Sequence, residues 1–423
     1  MTVKTNETAN FVELIAGVDG GNFSTKVSFI NKEGNINSFT IPTIMAPADS
    51  TVLDDLNTVS LSSDVDDLKG EDYLHVHIKS EALTKDKRDS YYFVGQYATG
   101  KENMIQPDVQ ANNKSDSQLH IVTQLVGLAT AAIKSNKENV KINYSGGLPI
   151  KEYKQVGQSA LQRLLGEHQI EFLDGPYAGK KVVLDIYDGS IRVEGVNSVL
   201  GISYNIKDGQ IAPTSTSEIF SPKGTYAIGD LGAGTFDKAY YKNGKIDKNI
   251  STNEAIASEE PLGTNAYIDR LIKRISQLEE FRPIREAIGD ENATPFRNRE
   301  ELVNKVIEPV VLKIVDGEIK NEPKFTVDWA RIKNVDVTSI VLEEMQHYVE
   351  TVKKEIDYFW YKKAIDAETF GLVGGGVLFG YIFFKEMKEY TLPPKELIKE
   401  SAYITSRSYV IANYAQQLAN SNK

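Results

Sequence analysis

Residues 226–241 read YAIGDLGAGTFDKAYY. A strand-like run ends at Asp230, turns through small residues and resumes as a strand. Glycine-rich phosphate loops usually open a helix, whose N-terminus supplies free N–H groups and a favourable dipole. No helix starts here, because Thr235–Tyr241 is rich in strand formers and an Asn243-Gly244 turn follows. The stretch predicts a β-hairpin with a glycine-bearing tip and a carboxylate just before it.

The same layout opens the chain. Residues 11–30, FVELIAGVDGGNFSTKVSFI, read as strand, small-residue turn and strand, followed by the Asn31–Asn35 turn and a strand over Ile36–Ile41. Asp19-Gly20-Gly21 parallels Asp230-Leu231-Gly232 about half a chain away, which points to an internal duplication. Between and after the hairpins, 117–135, Lys151–Glu167, Asn265–Phe281, Thr338–Lys362 and a segment near 407–420 have helical spacing, and charged helical material fills much of 282–333. Residues 139–149 form a buried strand, and Phe370–Gly376 is a strand ending in three glycines. Strands alternating with helices in two halves imply a two-lobed α/β protein. Its expected organisation is lobe I over 1–205 with an insertion at about 43–90, lobe II over 206–399 with a helical insertion at about 264–362, and 400–423 returning to lobe I.

Bulk composition narrows the function classes. At 423 residues, with 41% hydrophobic and 25% charged residues, the chain is a globular protein of more than one core. It has no cysteine, which excludes disulfides, thiol catalysis and cysteine metal sites. The polar start MTVKTNETAN has no signal-peptide core, and no run reaches the length of a membrane span, so the expected location is cytoplasmic. A net charge of −11 disfavours direct binding to DNA or acidic membranes.

Two glycine hairpins offer backbone N–H groups to a phosphate chain, and glycine lets the oxygens approach closely. Asn22, Ser24 and Thr235 add donors, and Lys26 adds positive charge. Asp19 and Asp230 end strands, where carboxylates hold the water shell of Mg²⁺. Either loop alone reads equally well as an ordinary turn, but a matched pair with a third glycine strand-end does not.

Residues 17–26 (GVDGGNFSTK), 226–237 (YAIGDLGAGTFD) and 371–376 (GLVGGG) resemble the phosphate-1, phosphate-2 and adenosine motifs of the actin and heat-shock chaperone ATPase superfamily. Segments 41–46 (IPTIMA), 92–98 (YFVGQYA) and 145–153 (SGGLPIKEY) are similar to the plasmid-segregation actins of the ParM (StbA-like) type. The resemblance implies an actin-like, ribonuclease H-like fold of duplicated mixed sheets with ATP, possibly GTP, and Mg²⁺ in a cleft between lobes. It implies that Gly20, Gly21, Asn22, Ser24, Lys26, Gly232, Ala233, Gly234, Thr235, Gly263, Gly374, Gly375 and Gly376 contact the nucleotide. Asp19 and Asp230 would serve catalysis and Mg²⁺ through water. Residues 191–196 (IRVEGV) resemble the entry to the helix bearing the family's water-activating residue, which places Glu194 in that role. A glutamate in the first turn of a helix, favoured by the dipole, is the competing explanation. Ala233 departs from the family's glycine and calls for a negative φ. Asn413 also replaces a family glycine, on the adenine side.

Two weaker signals read as structural. His75 and His77 share a strand face but lack further ligands, so exposed strand histidines are expected. The acidic stretch Asp49–Asp72 lacks the ligand spacing of a calcium loop and reads as a solvated insertion. The expected function is an ATPase whose nucleotide-dependent filaments segregate plasmid DNA through a small ParR-like DNA-binding adaptor. Polymerisation and adaptor are implied by the resemblance alone. Alternatives are a non-segregation cytoskeletal actin, a chaperone-type ATPase, for which little chain follows Gly376, or a small-metabolite kinase with a general-base aspartate.

Overall fold

The computed structural model describes residues 11–51, 69–107, 114–195, 197–252, 260–320 and 322–421. Most of the acidic stretch, 52–68, lies outside the described residues. The chain divides into two compact units, Met1–Ala212 with Thr405–Lys423, and Pro213–Ile404. The architecture is mixed α/β, as the sequence predicts.

In the first unit the described residues form a ten-stranded sheet. Its strands are β1 (Val12–Glu13), β2 (Ala16–Gly20), β3 (Ser24–Ile30), β4 (Ile36–Pro42), β5 (Met45–Ala48), β6 (Leu74–Ser80), β7 (Asp89–Val94), β8 (Asn139–Leu148), β9 (Gly166–Phe172) and β10 (Lys181–Val193). They run in the order β4-β3-β2-β8-β10-β9-β6-β7-β5, with β1 also on β8. β2, β8 and β10 are parallel neighbours, so their C-terminal ends lie at one edge of the sheet. Such an edge is where open α/β sheets bind ligands.

Alternation along β2 sends neighbouring residues to opposite faces. Val18 packs in one core with Val122, Leu125 and Val126 of the helix Gln118–Lys134. On the other face, a Cβ at Gly17 would lie 2.5 Å from the Ser406 carbonyl oxygen, so glycine is what lets the helix Ile404–Ser421 lie against the strand. Asn413 of that helix is buried and donates from Nδ2 to the Asn143 carbonyl of β8 at 2.6 Å. It therefore ties the last helix to the central strand.

The second unit holds a five-stranded sheet in the order β15-β14-β13-β18-β19. A short ribbon, β11 (Tyr204–Lys207) with β12 (Gln210–Pro213), precedes it. Its strands are β13 (Tyr226–Leu231), β14 (Phe236–Lys242), β15 (Lys245–Ile246), β18 (Phe370–Val373) and β19 (Tyr390–Thr391), with the ribbon β16 (Thr326–Trp329) and β17 (Ile332–Asp336) apart. Asn243 and Gly244, both at positive φ, make the two-residue turn joining β14 to β15. The helix Thr338–Lys362 buries Val341, Met345, Tyr348, Val352, Ile356 and Phe359, a stripe at helical spacing that covers the sheet.

Three expectations need correction. His75 is buried rather than exposed, because β6 lies inside the sheet between β9 and β7; its ring lies against Phe93, and its Nε2 lies 2.8 Å from the Asp49 carbonyl. The end of the acidic stretch is not solvated either, since Glu71 is buried with Lys134 at 3.0 Å. Within 282–333 the ribbon β16–β17 interrupts the helices. Elsewhere the elements differ at their ends: the helix expected over Lys151–Glu167 is Ile150–Leu164, because Gly166 starts β9.

Candidate functional site

In the first unit, β2 and β3 form the hairpin read from the sequence. Asp19 pairs with Lys26 across it, with Lys26 Nζ 3.7 Å from the carboxylate. The Gly21 N–H donates to the Ser24 carbonyl at 3.0 Å, and a Cβ on Gly21 would come within 2.8 Å of that oxygen. Glycine is thus required by close approach, with no need of a positive φ. Thr43 Oγ1 braces the tip by donating to the Gly21 carbonyl at 2.8 Å. Half-buried Asn22 lies in the tip and Ser24 begins β3.

The parallel register then brings distant residues to this hairpin. Val18 lies opposite Gly146, and Val193 opposite Leu148. Glu194 follows the last residue of β10, its N–H bonded to the Leu148 carbonyl at 2.9 Å. The next helix starts only at Ser198, so the helix-dipole explanation of Glu194 fails. Lys114 Nζ donates to both carboxylate oxygens of Glu194, at 2.9 and 3.1 Å, and both side chains are largely buried. Lys114 is itself held in place by its neighbour. Buried Glu152 accepts from the Ser115 N–H and Oγ at 2.8 and 2.7 Å.

In the second unit the β13–β14 hairpin repeats the pattern. Asp230 pairs with Asp237, and the Gly232 N–H donates to the Thr235 carbonyl at 2.9 Å, the counterpart of Gly21 and Ser24. A Cβ on Gly232 would sit 3.0 Å from that carbonyl. Ala233 has no positive φ, as its Cβ demands, and its carbonyl accepts from the Asn265 N–H at 2.9 Å. Gly234 and Thr235 are exposed, and Gly263 backs onto the 233–234 peptide.

Asp230 lies opposite Val373 in the parallel β13–β18 pair. Gly374 follows at φ +91°, and a Cβ there would lie 2.5 Å from Asp230 Oδ1. Gly375 and Gly376 open the helix Gly375–Phe384, whose first N–H groups face this end of the sheet. Tyr348 lies beneath, its hydroxyl 2.1 Å from where a Gly376 Cβ would be. Burial, with Tyr267 and Asp230 nearby, keeps that phenol protonated.

Residues 17–196 match the family of actin-like protein N-terminal domains. The chain is 38% identical to Bacillus thuringiensis ParM solved with ATP, at a TM-score of 0.78 over 96% of this chain and 99% of that one. Bacillus thuringiensis ParM with AMPPNP (38% identity, TM-score 0.76) and with ADP (37% identity, TM-score 0.76) match over the same shares of both chains. This chain belongs to the ParM family of actin-like, plasmid-segregation ATPases. No curated protein matches the chain. The actin-like protein Alp7A, at 16% identity and a TM-score of 0.64, shares the fold.

Of the residues expected from the sequence, Asp19–Lys26 and Glu194 lie at neighbouring strand ends in the first unit, while Asp230–Thr235, Gly263 and Gly374–Gly376 lie together in the second. Lys114 was not read from the sequence, because its place depends on side-chain reach across 80 positions to Glu194. The similarity at 145–153 carried a partial signal, since Glu152 in it holds the Lys114 segment. Among the described residues no group of His, Asp and Glu forms a metal cage. No described helix is long and apolar enough to cross a membrane.

Proposed function

We propose that this chain binds Mg-ATP through its two glycine hairpins, assembles with it into filaments and hydrolyses it at Glu194, and that a DNA-binding adaptor couples the filament to plasmid DNA in the cytoplasm. The observation that carries the nucleotide assignment is the matched backbone geometry of Gly21–Ser24 and Gly232–Thr235. Both tips hold close-packed backbone where a Cβ would intrude, which suits the approach of phosphate oxygens. Gly374–Gly376 opens a helix toward the nucleoside side.

The residues fit Mg²⁺ as well. Mg²⁺ favours one or two carboxylates plus phosphate oxygens and waters over an all-protein cage, and Asp19 and Asp230 are strand-end carboxylates beside the hairpins. These two would hold its water shell, and the ion would neutralise phosphate charge.

Hydrolysis transfers the γ-phosphoryl group to water. The water oxygen bonds to the γ-phosphorus, the bond to the β–γ bridging oxygen breaks, ADP keeps that electron pair, and the water proton passes to a nearby acceptor. Glu194 supplies a carboxylate that accepts from the water and aims it in line. Lys114 fixes the carboxylate at both oxygens.

Replacing Asp230 with alanine tests the reading. Asp230→Ala is expected to weaken Mg-ATP binding and assembly while the protein melts normally, read by nucleotide titration with and without Mg²⁺ and by sedimentation. Unchanged Mg-ATP affinity in a normally melting variant would remove the metal role from Asp230.

A further inference from the structure

The tip of the first hairpin is held by one residue outside it. Thr43 follows β4; its N–H donates to the Phe23 carbonyl at 3.0 Å and its Oγ1 donates to the Gly21 carbonyl at 2.8 Å. Both peptides are trans, and a trans peptide sets its N–H opposite its carbonyl. The Asn22 and Ser24 N–H groups therefore point away from Thr43. Pro42 suits this arrangement, because it lies opposite Ser24 where β3 and β4 exchange no hydrogen bond and its missing N–H costs nothing. Thr43 is itself fixed from below. It is fully buried with Thr25 and Thr123. Thr25 Oγ1 donates to Thr123 Oγ1 at 2.9 Å, and Thr123 Oγ1 to the His120 carbonyl at 3.2 Å, so both protons are spent on the helix Gln118–Lys134. Thr25 Oγ1 lies 3.4 Å from Thr43 Oγ1, which completes a line of three hydroxyls from that helix to the tip. The second hairpin turns its carbonyls back as well, but with main-chain donors. The Thr264 N–H bonds to the Gly232 carbonyl at 3.3 Å and the Asn265 N–H to the Ala233 carbonyl at 2.9 Å.

We propose that Thr43 is a positioning residue for phosphate: by holding the Gly21 and Phe23 carbonyls it aims the Asn22 and Ser24 N–H groups at the phosphate chain of the nucleotide. This rests on the reading of the hairpin as a phosphate clamp. A carbonyl turned toward the ligand would repel phosphate oxygens, whereas N–H groups whose carbonyls are turned back form an anion-binding concavity. The Gly21 N–H takes no part, because the Ser24 carbonyl accepts it. Thr43 does not itself touch the nucleotide and acts through the backbone of the tip.

Thr43→Val keeps the shape of the side chain and its N–H but removes the hydroxyl, and Thr43→Ser keeps the hydroxyl and removes the methyl group. Titration of the purified chain with ATP, ADP and adenosine reads the effect. Thr43→Val is expected to weaken ATP and ADP about tenfold, the size of one lost hydrogen bond, and to bind adenosine as the parent does. Thr43→Ala, which also lacks the hydroxyl but leaves room to spare, should behave like Thr43→Val, and Thr43→Ser should keep most of the parental affinity. ATP affinity at the parental level in Thr43→Val or Thr43→Ala, an equal loss for adenosine, or a loss in Thr43→Ser as large as in Thr43→Val would overturn the proposal. A parent that binds adenosine and ATP equally well would instead overturn the phosphate-clamp reading beneath it.

Discussion

The Glu194 carboxylate is held at both oxygens by Lys114, and the proposed mechanism assigns this pair to chemistry rather than to binding. Glu194→Ala is expected to leave nucleotide affinity nearly intact and lower hydrolysis by about 10²–10⁴-fold, as for loss of a general acid–base group. Lys114→Met should lower turnover less, again at unchanged affinity, and Lys114→Arg should restore much of it, because guanidinium also bonds both carboxylate oxygens. Phosphate release and nucleotide titration on the same preparations check this; turnover in Glu194→Ala equal to the parent would remove Glu194 from the reaction. Glu194 itself was legible, because IRVEGV resembles a family segment. Lys114 was not, since a lone lysine in NNKSD carries no pattern, and the Glu152–Ser115 bonds beside it depend on the fold.

The hairpins were legible as elements because a glycine tip between two runs of strand formers has few other readings. Sheet order was not, since β5 and β6 join the first unit's sheet from a segment that reads as insertion. The helix Gln118–Lys134 shows a further property that periodicity hides. His120 is buried in its first turn, neither ring nitrogen has a partner among the described residues, and burial first, with Lys114 next, pushes its pKa down from 6.5 to about 4. Buried His168 is lowered in the same direction, mainly by burial. The folded state thus binds fewer protons than the unfolded state between these values. Stability present above about pH 6.5 is therefore lost as the pH falls toward about 4, by about 3 kcal/mol for His120. Denaturant midpoints measured from pH 7 to pH 4.5 should fall, and His120→Leu should flatten much of the slope. An equal slope in parent and variant would assign the acid sensitivity to other groups.

Across the whole molecule, duplication was the most informative pattern. Asp19 and Asp230 lie at equivalent points of two hairpins with the same Gly-to-carbonyl bond, one in each unit. What could not be read from the residues is the assembly, because a filament contact leaves no motif comparable to a phosphate hairpin. A net charge of −11 suits a protein that reaches DNA through an intermediary. The most direct test follows light scattering and phosphate release together in one sample of the purified chain, with Mg²⁺ and either ATP, ADP or no nucleotide. Scattering should rise with ATP and not with ADP or without nucleotide, then decay as phosphate is released, with slower decay in Glu194→Ala. Scattering of equal size in all three conditions would contradict nucleotide-driven assembly.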